Sequence, residues 1–96
     1  MAVAITVKFV GALRHLSGKT QLTINCQEGI LLKELISKIN QQTPRLEKSL
    51  VDQHGKDSTT NALILVNGRE ISVLEGLETK LNDGDEIVFV PVVHGG

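Results

Sequence analysis

Two hydrophobic periods follow one another along this chain, and their order limits the folds open to it. Val3, Ile5, Val7 and Phe9 alternate with Ala4, Thr6 and Lys8. That is period two, rich in β-branched side chains, and it predicts a strand with one buried face. Leu22 and Ile24 repeat the alternation within residues 20–25 and predict a second strand, placed to form a hairpin with the first. The period then lengthens. Leu31, Leu32, Leu35, Ile36 and Ile39 fall at helical spacing, while Lys33, Glu34, Ser37, Lys38 and Asn40 take the other face. Glu28, near the expected start, suits the helix dipole. Thr43-Pro44 marks the stop, because the residue before a proline avoids the helical region. Pro44 is then placed to open a second short helix, with Leu46 and Leu50 facing inward.

The second half returns to strands. Residues 51–61 are polar and read as a loop. Residues 62–66 are an apolar run that ends at Asn67-Gly68, a hairpin-turn pair. Glu70, Ile71 and Ser72 read as a short returning strand. Leu74, Leu77 and Leu81 anchor an irregular crossing segment. Asp83-Gly84-Asp85 is a turn, and residues 86–92 form a last strand. Between the first two strands, residues 12–17 make a helical stub closed by Gly18.

A chain of 96 residues holds one such domain and not two. The order strand, strand, helix, strand, short strand, strand is best satisfied by an α+β domain. Its main helix packs on one face of a mixed sheet, and a short second helix lies nearby. Setting the first and last strands side by side at the centre gives a β-grasp, the ubiquitin-like arrangement, although the pattern alone does not fix that topology. The domain is expected over residues 1–92, with a flexible Gly-Gly tail at 93–96. The expected core is Val3, Ile5, Val7, Phe9, Leu22, Ile24, Leu32, Leu35, Ile36, Ile39, Ile64, Val66, Ile87 and Phe89.

Composition excludes several function classes. Lys+Arg total 10 against 11 Asp+Glu, so the electrostatic footprint of a general nucleic-acid binder is missing. Aromatics are 2% of the chain, too few for a stacking platform on single strands. One cysteine, Cys26, rules out an internal disulfide and a thiolate zinc cluster, and points to a reducing compartment. Cys26 itself reads as a small, half-buried apolar residue, since Gln27-Glu28 offer no cationic setting to activate it. His15, His54 and His94 stand at no metal spacing, so no metal site is expected. Asp83 and Asp85 read as turn chemistry, Arg69 as solvated, and no catalytic constellation emerges. No apolar run approaches the ~20 residues a bilayer demands. Residues 1–5 lack the positive start of a signal peptide, and a cytoplasmic location is expected.

Chemistry concentrates at the end of the chain, at Gly95-Gly96. Two glycines there are either a frayed tail or a device. As a device, glycine without a Cβ threads a narrow channel, and its bare terminal carboxylate is open to activation. The last strand adds a second feature. If Ile87 and Phe89 point inward, Val88 and Val90 point outward, and Leu63 and Leu65 do so when Ile64 and Val66 face in. These four aliphatic side chains would form an exposed patch, the kind that marks a docking surface. The alternative is that a dimer or the 51–61 loop covers them.

Residues 5–18, Ile-Thr-Val-Lys-Phe-Val-Gly-Ala-Leu-Arg-His-Leu-Ser-Gly, resemble the opening of the molybdopterin synthase small subunit family. Val66-Asn67-Gly68, Leu77-Glu78-Thr79-Lys80-Leu81, Asp83-Gly84-Asp85-Glu86 and Gly95-Gly96 resemble its second half. The resemblance covers almost the whole chain apart from residues 51–61. It implies a ubiquitin-like sulfur carrier, related to the thiamine-pathway carrier, archaeal small modifier proteins and the ubiquitin-related modifier. It implies that an adenylating enzyme of the ubiquitin-activating type uses ATP to activate Gly96, which sulfur then converts to a thiocarboxylate. It further implies no bound cofactor and no catalysis by this chain alone. The implied acceptor is the molybdopterin synthase large subunit. One departure stands out. The synthase subunits commonly carry two prolines before the tail, whereas here the segment is Val90-Pro91-Val92-Val93-His94-Gly95-Gly96. A histidine before the glycine pair is typical of the ubiquitin-related modifier branch. The alternatives are therefore sulfur donation to tRNA thiolation, conjugation to lysines of target proteins, or a plain β-grasp interaction module. Chain length argues against the thiamine carrier, which is usually shorter.

Overall fold

The computed structural model describes residues 2–44, 51–52, 59–60 and 62–91, with the two central pairs described by backbone alone. The chain runs β1 (Ala2–Phe9), α1 (Ala12–Ser17), β2 (Gln21–Gln27), α2 (Leu32–Gln42), β3 (Val51–Asp52), β4 (Thr59–Thr60), β5 (Ala62–Val66), β6 (Arg69–Glu70) and β7 (Glu86–Pro91). Five strands form one mixed sheet in the order β2-β1-β7-β5-β6. β1 and β7 lie parallel at its centre, with Val7 opposite Ile87 and Phe9 opposite Phe89. The other ladders are antiparallel. First and last strands side by side under one main helix is the β-grasp topology, which the order of elements allowed but did not fix.

Alternation sets the inner face. Val3, Ile5, Val7 and Phe9 of β1, Ile64 and Val66 of β5, and Ile87 and Phe89 of β7 are all buried. Leu32, Leu35, Ile36 and Ile39 of α2 close over them. The Phe9 and Phe89 rings stack with centroids 5.9 Å apart. Leu22 departs from expectation: it is partly exposed and only packs against the core. It lies on the edge strand β2, further along which Ile24 and Cys26 are buried. Leu13, Cys26, Ile30, Ala62, Ile71 and Leu81 complete the core and were not among the expected residues.

α2 begins at Leu32 rather than near Glu28, and the acidic residue in its first turn is Glu34. The Leu31 N–H donates to Glu34 Oε1 at 3.0 Å, satisfying one of the orphan groups at a helix start. A strap from the crossing segment fixes this end: Leu32 N donates to Thr79 O at 2.8 Å and Leu81 N to Ile30 O at 2.9 Å. Lys33 Nζ reaches Glu78 Oε1 at 2.7 Å across the same junction. The helix ends at Gln42, before Thr43-Pro44. Of the second helix expected from Pro44, only Pro44 is described, in a 3₁₀ turn; Leu46 and Leu50 lie outside the described residues. The short second helix observed is α1, terminated by Gly18 in the left-handed region, with its N–H on Arg14 O.

Two further expectations are corrected. Residues 51–61, read as a loop, contain the antiparallel pair β3–β4. The returning strand stops at Glu70, and Ile71–Val73 form a 3₁₀ turn. The Glu70 carboxylate accepts from both the N–H and the hydroxyl of Ser72, which turns the chain out of the ladder. The Asn67-Gly68 hairpin turn is as expected, with φ 51° and 83° suited to a type I′ turn.

Candidate functional site

The outer face of the sheet divides into two halves. On the β2–β1 side it carries Gln21, Thr23 and Asn25 against Lys8, Thr6 and Ala4. On the β7–β5 side it carries aliphatic pairs: Val90 stands opposite Leu63, and Val88 opposite Leu65. Leu63 is 41% exposed, and Leu65, Val88 and Val90 are half-buried. Directly opposed residues of an antiparallel pair have touching side chains, so the four expected docking residues form one continuous block. Lys8 lies opposite Val88 in the parallel ladder, and its Nζ bridges Glu86 at 3.0 Å. That ion pair borders the block on its polar side.

The block leads to the end of β7. There the corner after β1 folds against the last described residue, Pro91. Val10 N donates to Phe89 O at 3.1 Å, and Arg14 Nε to Phe9 O at 3.2 Å. Gly11 has φ +62° and ψ −136°, a conformation that side chains strain to adopt. A Cβ on Gly11 would lie 3.2 Å from Pro91 Cγ. The corner thus favours glycine for its backbone, and a side chain there would also press on Pro91. Val10 and Leu16, both 36% exposed, add apolar surface at this end. Sequence reasoning missed Gly11, Val10 and Leu16. Their roles depend on the parallel β1–β7 pairing, which no local pattern encodes.

His94, Gly95 and Gly96 lie outside the described residues, as does the expected tail. The described chain reaches Pro91 at the end of β7, beside the aliphatic block.

The opposite end of the sheet is structural. Asp83 Oδ1 accepts from Ala4 N at 2.8 Å, and Asp85 accepts from Asn67 Nδ2 and Asn82 N at 2.9 and 2.7 Å. Asn67 Oδ1 in turn accepts from Glu86 N. These carboxylates tie three strands together, which agrees with their reading as turn chemistry. Cys26 is buried with its Sγ on Ile24 O at 3.7 Å. Burial pushes its thiol up from the ordinary value, and Lys38 only partly offsets this, so the thiol is an inert core group. Among the described residues, no group of three or more His, Cys, Asp or Glu is placed to hold a metal. No described helix is long and apolar enough to cross a membrane.

A family model described as the ThiS family matches residues 7–96. The chain belongs to the ThiS family. Relatives of this ThiS-family chain include the ubiquitin-related modifier 1 of Schizosaccharomyces pombe, 32% identical over 98% of this chain and 100% of that protein. The molybdopterin synthase sulfur carrier subunit of Mycobacterium tuberculosis is 28% identical over 98% of this chain and 99% of its own length. Among solved structures, the small archaeal modifier protein 1 of Methanosarcina acetivorans superposes with a TM-score of 0.83 at 28% identity. That match covers 100% of this chain and 99% of that one. The family is that of ubiquitin-like β-grasp sulfur carriers, as the sequence resemblance implied.

Proposed function

We propose that this ThiS-family chain carries sulfur on Gly96 for molybdopterin synthesis. In this reading an adenylating enzyme binds the β7–β5 block. The Gly96 carboxylate attacks the α-phosphorus of ATP and releases pyrophosphate, forming an acyl adenylate. A sulfur nucleophile then displaces AMP and leaves a thiocarboxylate, which the synthase large subunit takes up with the tail. The observation that carries the reading is the contiguity of the aliphatic block with the end of β7. The block supplies affinity to two successive enzymes, while His94, Gly95 and Gly96 supply reach. The full-length likeness to a molybdopterin synthase sulfur carrier subunit supports the destination.

A second reading rests on His94 before the glycine pair and on the full-length likeness to ubiquitin-related modifier 1. There the activated Gly96 serves tRNA thiolation or is joined to lysines of target proteins. Reconstitution separates the two. Thiocarboxylated chain mixed with the synthase large subunit and the pterin precursor should yield the dithiolene product in proportion to the sulfur supplied. No product, together with thiolated tRNA or lysine-linked conjugates under the same activation, would favour the second reading.

A further inference from the structure

The two edges of the sheet are handled differently. β6 ends one side with only two residues, both charged, and then leaves the sheet as a 3₁₀ turn. Short length and charge are the usual protection of an edge. β2 ends the other side with seven residues, Gln21–Gln27, and none of those protections. It contains no charge, proline or glycine. Its register with β1 runs through seven successive pairs without a bulge.

The backbone groups available on that edge follow from the hydrogen bonds. Phe9 N donates to Thr20 O, whereas Thr6 N and Ala4 O turn away from β2, to Asp85 O and Gly84 N. Bonding alternates along an antiparallel pair. Leu22, Ile24 and Cys26 therefore bond to β1, while Gln21, Thr23, Asn25 and Gln27 direct their N–H and C=O groups outward. Only the Gln27 carbonyl is used among the described residues, by Ile30 N at 3.2 Å. The side chains of these four residues are exposed as well.

We propose that β2 pairs with β2 of a second copy of this chain, antiparallel about a two-fold axis at Ile24. This register sets Thr23 opposite Asn25 and Gln21 opposite Gln27 in each direction, so every outward backbone group of the four meets a counterpart, the Gln27 carbonyl being shared with Ile30 N. On the inner side, Ile24 meets its own copy and Leu22 meets Cys26, which covers the half-exposed Leu22. An uncharged strand pairs with itself without like-charge repulsion, which a charged edge cannot do. The isologous contact closes at two subunits. It leaves the β7–β5 block and the end of β7 free, because they lie across the sheet from β2. The pairing does not depend on the sulfur-carrier reading, and failure of thiocarboxylation would leave it standing.

The test uses the full chain in sedimentation equilibrium from about 10 µM to about 1 mM, with amide exchange read at both ends of that range. The expected result is a weak dimer whose formation slows exchange at Thr23 and Asn25 but not at Leu63 or Leu65. Thr23→Lys/Asn25→Lys faces lysine with lysine at both pairs and should weaken the dimer at least about tenfold. Thr23→Glu/Asn25→Lys faces opposite charges and should keep or tighten it. All four substitutions are on exposed positions, and thermal melts confirm that both variants fold. A chain that stays monomeric, with those amides unchanged, leaves the edge to a strand of another protein and overturns the proposal. A dimer that ignores both charge pairs, or is lost in Leu65→Asp, overturns it too.

Discussion

The inner and outer faces of this sheet are built from the same strands, yet they answer to different constraints. Ile5, Val7, Ile87 and Phe89 are buried to within 1% exposure beneath α2. One residue away, Thr6, Lys8, Val88 and Val90 remain partly open. Packing dictates the first set: close-packed interiors register the loss of even a methylene. Among the described residues, no packed element dictates the second. β1 keeps polar residues there, as a solvated face does, whereas β7 and β5 keep Val88, Val90, Leu63 and Leu65. Along one face the character changes from polar to aliphatic, and none of the described elements packs over the aliphatic half, which is the surface proposed above for docking. It also shows that burial alone is a poor guide to function here.

The largest effect should come from the inner face. Phe9→Ala or Leu35→Ala removes a fully buried side chain and should cost roughly 2–5 kcal/mol in a denaturant melt. A loss below about 1 kcal/mol would mean that the faces have been assigned the wrong way round. The corner beneath Pro91 comes next. Gly11→Ala forces a side chain into a strained conformation and against Pro91, and should cost about 1–3 kcal/mol. A melt unchanged from the parent would show that the corner relaxes freely.

On the outer face the order of effects reverses. Leu65→Asp should change stability by under about 1 kcal/mol, because its side chain is only half-buried. Yet it should weaken binding to the adenylating enzyme at least about tenfold, as loss of a central apolar contact does. Thr6→Lys, on the polar half, should leave that affinity within about twofold. Titration calorimetry of the two variants sharpens the contrast, and equal losses would erase it.

The smallest effect is one of pH. The Ser72 hydroxyl and N–H hold the Glu70 carboxyl below its ordinary value. The ionised form is therefore favoured by folding. Its slight stabilisation is complete above the unfolded-state value and is lost as pH falls through the lower, folded value. Melts of the parent and Ser72→Ala should differ slightly near neutrality and converge in acid. A difference that persists in acid would rule out this ion as its source.

How much of this was legible in the sequence depended on periodicity. β1 and the buried stripe of α2 were readable because Val3 to Phe9 and Leu32 to Ile39 hold a clean period over several turns or residues. Leu13, Ile30, Ile71 and Leu81 were not readable as core, because they sit in short or irregular segments that only tertiary contacts bury. Ile71 and Ser72 read as strand but form a 3₁₀ turn, because the bonds from Ser72 to the Glu70 side chain outweigh the local strand pattern. The aliphatic block was legible from alternation on two strands. Its adjacency to Gly11 and Pro91 was not, since it arises from pairing β1 with β7 across almost the whole chain.

The central claim is that Gly96 is activated by an enzyme that grips the aliphatic half of the outer face. Intact-mass spectrometry tests it after incubation with the adenylating enzyme, ATP and a sulfur donor. The parent chain should gain the mass of one sulfur-for-oxygen exchange. Folded Leu65→Asp should gain it far more slowly at limiting enzyme, and a chain lacking Gly96 should not gain it. An unchanged parent mass, or equal exchange in the chain without Gly96, would contradict the account.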